Sequence, residues 1–99
     1  MSFKDFMSED RRLAILRLLH DQPGMALNDS VLVAVLERVG HAVARDTVRA
    51  DMAWLQDVDV ITLDEVGGRV LVATLRQRGV DVVLGRSVVP GIRRPSPRT

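Results

Sequence analysis

The stretch Gly40–Ile61, GHAVARDTVRADMAWLQDVDVI, decides the fold. Val48, Met52 and Leu55 fall at i, i+4, i+7, the buried stripe of a helix. Arg45, Asp46, Arg49, Ala50 and Ala53 fall towards the other side and form a short, unbulky face. Ahead of this helix, Gly40 can take a positive φ, so the chain can leave one helix and turn sharply into the next. Behind it, Val60–Val66 and Arg69–Leu75 are strand-like runs joined at Gly67-Gly68. That pair is a favoured two-residue hairpin turn, because both central positions need positive φ. The order is helix, turn, helix, hairpin.

Working upstream, Asn28 or Asp29 caps the helix before the turn, with Leu32, Val35, Leu36 and Val39 inside and Val31, Val33 and Ala34 outside that stripe. Met25 to Leu27 is a short connector that can add a small strand to the hairpin. The first helix is expected from an N-cap at Ser8, followed by Glu9 and Asp10 where the helix dipole favours anions. Ile15, Leu16 and Leu19 form its inner stripe, widened by Leu13 and Leu18, and Arg11, Arg12, Arg17 and His20 point outward. Pro23-Gly24 ends it. Residues 1–7 form an arm whose Phe3, Phe6 and Met7 are expected to pack on the domain or on a second copy.

Downstream, Trp54 is read as the edge of the core, and Asp57 and Asp59 close the third helix. Thr74 and Gln77 have capping-box spacing and place the start of a fourth helix there. Gly79 within it points to close packing or a late start. Val80, Val83 and Leu84 supply its apolar face, and Gly85 ends it. From Val88 to Thr99, three prolines and three arginines without apolar periodicity predict an extended or disordered tail. The expected organisation is an arm (1–7), one domain (8–86) and a basic, Pro-rich tail (87–99).

Ninety-nine residues make one domain, and 46% apolar residues are ample for a core. No apolar run reaches the roughly 18 residues of a membrane helix, and the N-terminus carries no long apolar segment. With no cysteine there is neither a disulfide nor a thiolate metal site. The cytoplasm is the expected compartment. Charge is unevenly distributed: residues 1–68 carry −5 and residues 69–99 carry +6. Attraction to a polyanion must therefore come mostly from the hairpin, the last helix and the tail.

The segment Val43-Ala44-Arg45-Asp46-Thr47-Val48-Arg49, continuing through Leu55 to Ile61, resembles the recognition helix and following strand of bacterial winged-helix regulators. Leu75 and Gly79 sit where such proteins often carry a Leu-Thr-x-x-Gly opening to the helix after the wing. The likeness covers about residues 8–86, and within that class the chain is similar to small proteins of Mu-like phages and prophages labelled as arsenic-repressor-type regulators. It departs from that pattern at Ala44, where Ser or Thr usually caps, at Asp59, where Gly is usual, and at Arg76, where Thr is usual. Metal sensing in the arsenic-type repressors uses a cysteine pair, which this chain lacks. The resemblance implies an α+β, mainly α, winged helix-turn-helix: a three-helix core, a two-stranded β-hairpin wing and a C-terminal helix. It further implies double-stranded DNA as partner and a phage or prophage role in transcription regulation or near DNA packaging.

Candidate DNA-binding residues follow from the chemistry of groove and backbone recognition. Arg45, Thr47 and Arg49 would meet the major groove, Arg69 a phosphate or the adjacent minor groove, and Arg93 and Arg94 would add contacts from the tail. A homodimer through Phe3, Phe6 and the C-terminal helix is expected, since two-fold symmetry matches palindromic operators. No enzymatic motif, no cofactor loop and no metal-ligand spacing around His20 or His41 is present in the sequence. Two alternatives remain open: a non-specific, packaging-associated DNA-binding protein driven by the basic third, and a winged-helix protein-interaction module that does not bind DNA.

Overall fold

A computed structural model describes residues 2–96; Met1 and the last three residues of the tail, 97–99, lie outside the described residues. Helix α1 (Phe3–His20) leads through a single 3₁₀ turn to strand β1 (Ala26–Asn28) and helix α2 (Asp29–Arg38). Helix α3 (Arg45–Asp57), strands β2 (Ile61–Val66) and β3 (Val70–Leu75) and helix α4 (Gln77–Val83) follow. The sheet is antiparallel in the order β1-β3-β2, with Ile61 opposite Leu75, Val66 opposite Val70 and Ala26 opposite Thr74. The hairpin closes through Arg69 N–H to the Val66 carbonyl at 3.3 Å, with Gly67 and Gly68 both at positive φ. This is the α+β, mainly helical winged architecture expected from the sequence, with β1 added to the wing as a third strand.

Helices α2 and α3 end alike. After α2, Gly40 (φ 99) lets its own N–H reach Glu37 and the His41 N–H reach Leu36 at 2.8 Å, which satisfies carbonyls the helix leaves open. After α3, Asp59 takes the same left-handed place at φ 67, where glycine would be unstrained. The core gathers Leu13, Ile15, Leu16 and Leu19 of α1 with Leu32 and Leu36 of α2 and Val48, Met52 and Leu55 of α3. Val60, Ile61, Ala73 and Leu75 close it from the sheet side. Full burial of such side chains stabilises by about 1.5–3 kcal/mol each, so these stripes fix how the helices pack.

Several local expectations are corrected. The first helix starts at Phe3, not after Ser8: Ser2 is the cap, its hydroxyl accepting the Asp5 N–H at 3.0 Å, because nothing in residues 3–7 breaks a helix. Phe3 is then left 79% exposed and Phe6 39%. Arg11 and Arg12 turn inward rather than outward, because Asp51 is buried on α3 and needs cations. Val39 falls beyond the last turn of α2 and is exposed, while Val33 packs against the core. Thr74 belongs to β3, and α4 starts at Gln77, with Arg76 as an N-cap that makes no side-chain capping bond. Val82 is the buried apolar side chain of that helix, beside the buried Gly79, while Leu84 caps its end and is exposed.

The chain from Val88 to Arg94 is no loose tail. Val89 and Ile92 join the core, the Arg93 N–H bonds the Glu9 carbonyl at 3.2 Å, and Arg12 Nη1 donates to the Gly91 carbonyl at 2.9 Å. Two apolar side chains three residues apart suffice to seat a short strap, although they give no periodicity long enough to read as an element.

Candidate nucleic-acid interface

The site is built from the start of α2, the start of α3 and the tip of the wing. The Asn28 side chain accepts the Val31 N–H at 2.8 Å and so fixes where α2 begins. Asp29 becomes the first residue of that helix, where a carboxylate is favoured by the helix dipole. Its Oδ1 accepts the Ser30 N–H at 3.0 Å, and the residue is wholly buried.

Arg45 and Arg49 are one helical turn apart on α3 and share a face. Both donate from Nε to Asp29 Oδ2, at 3.0 and 2.7 Å. Both also donate from Nη2 to the backbone carbonyl of Arg69 in the wing turn, at 3.3 and 2.6 Å. Burial alone raises the pKa of the Asp29 carboxyl, but the hydrogen bonds from Arg49 and Arg45 and their charges outweigh it and hold the group below the usual carboxylate range. One carboxylate thus ties α2, α3 and the wing together.

Arg45, Asp46, Arg49 and Arg69 line an open recess of about 420 Å³ between α3 and the wing. With Asp29 behind it, three cations face two carboxylates, and the recess keeps a positive balance. The arginines of α3 therefore share a recess with Arg69, and they do not stand free on the outer edge, because both are paired with Asp29. Thr47 lies beside them, half-buried, with its N–H bonded to the Ala44 carbonyl at 3.0 Å.

The remaining candidates sit elsewhere. Arg93 donates to Asp10 Oδ1 at 2.6 Å and stacks over Phe6 at 5.1 Å, and Asp10 Oδ2 is 2.8 Å from His41 Nε2. Burial raises the Asp10 pKa, and the bonds from Arg93 and His41 more than reverse this. Arg94 lines a different recess with Leu84, Val88 and Pro95. The two tail arginines thus lie outside the recess of Arg45, Arg49 and Arg69: the strap that carries them is anchored on α1. Among the described residues no group of three or more His, Asp or Glu is placed to hold a metal ion, and no helix is long and apolar enough to cross a membrane. Sequence reasoning missed Asp29 as a site residue, since a carboxylate at a helix start reads as a cap, and nothing nearby in sequence announces its partners on α3.

Helix, turn, helix and a paired wing with arginines at the junction define a winged helix, and solved structures share it. The MarR-family transcriptional regulator AbsC of Streptomyces coelicolor superposes with a TM-score of 0.63 over 74% of this chain at 15% identity. Sco3205, a MarR-family regulator of the same organism solved in complex with DNA, gives 0.65 over 89% at 18% identity. The chain spans about half the length of these regulators, 47% and 55%. No protein-family model matches the chain. Full-length kinship lies with gp26 of Escherichia phage Mu, 45% identical over 94 residues that cover 95% of this chain and 96% of gp26. A Haemophilus influenzae protein is 35% identical over 78 residues, 79% of this chain and 76% of its own length. The chain belongs to the family of Mu gp26.

Proposed function

We propose that the protein binds double-stranded DNA through α3 and the wing, as a cytoplasmic regulator of transcription encoded by a phage or prophage. The observation that carries this reading is the convergence of Arg45, Arg49 and Arg69 on one open recess between the helix and the hairpin. Cations so placed meet the phosphate backbone, the dominant source of affinity for DNA. The shared fold with Sco3205, solved with DNA, supports the reading, and kinship with Mu gp26 supports the phage origin. The arsenic-repressor likeness adds no effector, since the chain has no thiolate to offer a metal.

The test is fluorescence anisotropy with a labelled random-sequence duplex at low salt. The wild type is expected to bind, Arg69→Ala to bind more weakly, and affinity to fall steeply with added salt. A wild type that leaves the duplex free at low salt refutes the reading.

A homodimer through Phe3, Phe6 and α4 belongs to the same proposal, motivated by the apolar side chains left exposed there: Phe3 at 79%, Phe6 at 39% and Leu84, at the end of α4, at 48%. Light scattering at micromolar concentration is expected to give twice the chain mass, reduced to one chain by the double change Phe3→Ser and Phe6→Ser. A wild-type monomer removes the dimer.

A further inference from the structure

We propose that Asp29 is a positioning residue that holds Arg45 and Arg49 as a clamp for a backbone phosphate, and that base edges are read by Asp46, Thr47 and Ala50 instead. This rests on the DNA-binding reading above and assigns the roles within it.

Each arginine spends Nε on Asp29 and one Nη2 hydrogen on the Arg69 carbonyl. What remains is the outer end of each fork, and both residues line the recess together with Arg69 and the Asp46 carboxylate. A recessed pair of forks suits a tetrahedral oxyanion that protrudes into it. Base edges lie on the floor of a groove and are reached by side chains that project from the helix.

Extending either arginine to a base would strip Asp29 of a partner. The residue is fully buried, so an uncompensated carboxylate there is strongly disfavoured. The forks therefore stay where Asp29 holds them. Because the same forks grip the Arg69 carbonyl, they also set the distance from α3 to the wing, and with it the register of the two on a duplex. Positions in the first turns of α3 without such ties include Asp46, Thr47 and Ala50, the first and last exposed and Thr47 half-buried. A carboxylate accepts from cytosine N4, a threonine hydroxyl bonds either kind of edge, and alanine touches the thymine methyl.

The experiment uses the full chain, a duplex selected from a random library and a scrambled duplex of equal length, each titrated across a salt series. Arg49→Ala is expected to weaken both complexes by the same factor and to lower the slope of log affinity against log salt by about 0.9, one phosphate contact. Thr47→Ala and Asp46→Ala are expected to alter base preference with the slope unchanged. Asp29→Asn removes a negative charge and on charge alone would tighten binding; it is expected to weaken both complexes. Arg49→Lys keeps the charge, loses the fork, and is expected to weaken both as well. It carries the test if Asp29→Asn fails to fold.

Tighter binding by a folded Asp29→Asn, or wild-type affinity in Arg49→Lys, overturns the positioning role. Loss of affinity by Arg49→Ala on the selected duplex alone overturns the phosphate assignment. A wild type that binds neither duplex sinks the DNA-binding reading itself, a result distinct from these.

Discussion

Gly91→Ala tests the docking of the C-terminal strap, and its effect can be worked from the contacts. Gly91 sits at φ +97, and a Cβ there would lie 2.5 and 2.7 Å from Cζ2 and Cη2 of Trp54. The indole has little room to yield, since the Arg12 guanidinium lies 4.1 Å from its centre and also bonds the Gly91 carbonyl. Overpacking of this kind costs about 1–3 kcal/mol, with backbone strain on top. Against that stands a modest docking energy. Burial of Val89 and Ile92 contributes about 3–6 kcal/mol, and two hydrogen bonds add roughly 1 kcal/mol each. Ordering residues 88–94 takes about 1 kcal/mol or more per residue. These contributions nearly cancel, so the alanine methyl is expected to release the strap from an otherwise folded domain. Trp54 is the only tryptophan, which makes its emission a specific reporter. The expected results are a red-shifted emission at temperatures well below melting, faster tryptic cleavage after Arg93, and a melting temperature lower by several degrees. Emission, cleavage and melting equal to wild type would refute the assigned packing of Gly91 on Trp54.

Gly79→Ala would place a methyl 2.4 Å from the Val60 carbonyl oxygen, which already accepts the Arg76 N–H at 2.9 Å. The gain in helix propensity of about 1 kcal/mol is expected to be outweighed by overpacking, giving a net loss in chemical denaturation; a stabilised variant would contradict the close approach of α4 to Val60, just ahead of β2. Asp51→Ala leaves the half-buried Arg11 and Arg12 without their shared carboxylate, and a loss of about 3–5 kcal/mol is expected from denaturant titration. On acidification, Asp29 and Asp10, both held below the ordinary carboxylate value in the fold, contribute stability that is fully present above the unfolded pKa of about 3.9 and lost as pH falls through their folded values. Denaturation midpoints measured from pH 6 downward are expected to fall more steeply for the wild type than for a folded Asp29→Asn, and parallel curves would count against the Asp29 assignment.

Local sequence was enough for the elements that repeat one pattern over several turns. The stripe Val48, Met52, Leu55 lies in the core, and the Gly67-Gly68 turn closes the wing. Periodicity and turn chemistry act over neighbouring residues, so the sequence displays them directly. Boundaries were less legible: Ser8 and Thr74 look like caps, yet one lies inside α1 and the other pairs with Ala26 and Thr62 in the sheet. A cap motif only competes with helix propagation or strand pairing, and here the longer element won.

Composition and pattern alone determined that this chain has an α+β fold with two helices meeting at a tight turn, a glycine-tipped hairpin and a basic C-terminal third. Only the tertiary structure decided which charges are free to act. Asp29 meets Arg45 and Arg49 across 16 and 20 residues of sequence, and Arg93 meets Asp10 across 83. The reason is physical: a buried carboxylate must find cations wherever the packed helices bring them, and that choice follows from helix packing and not from the order of residues along the chain.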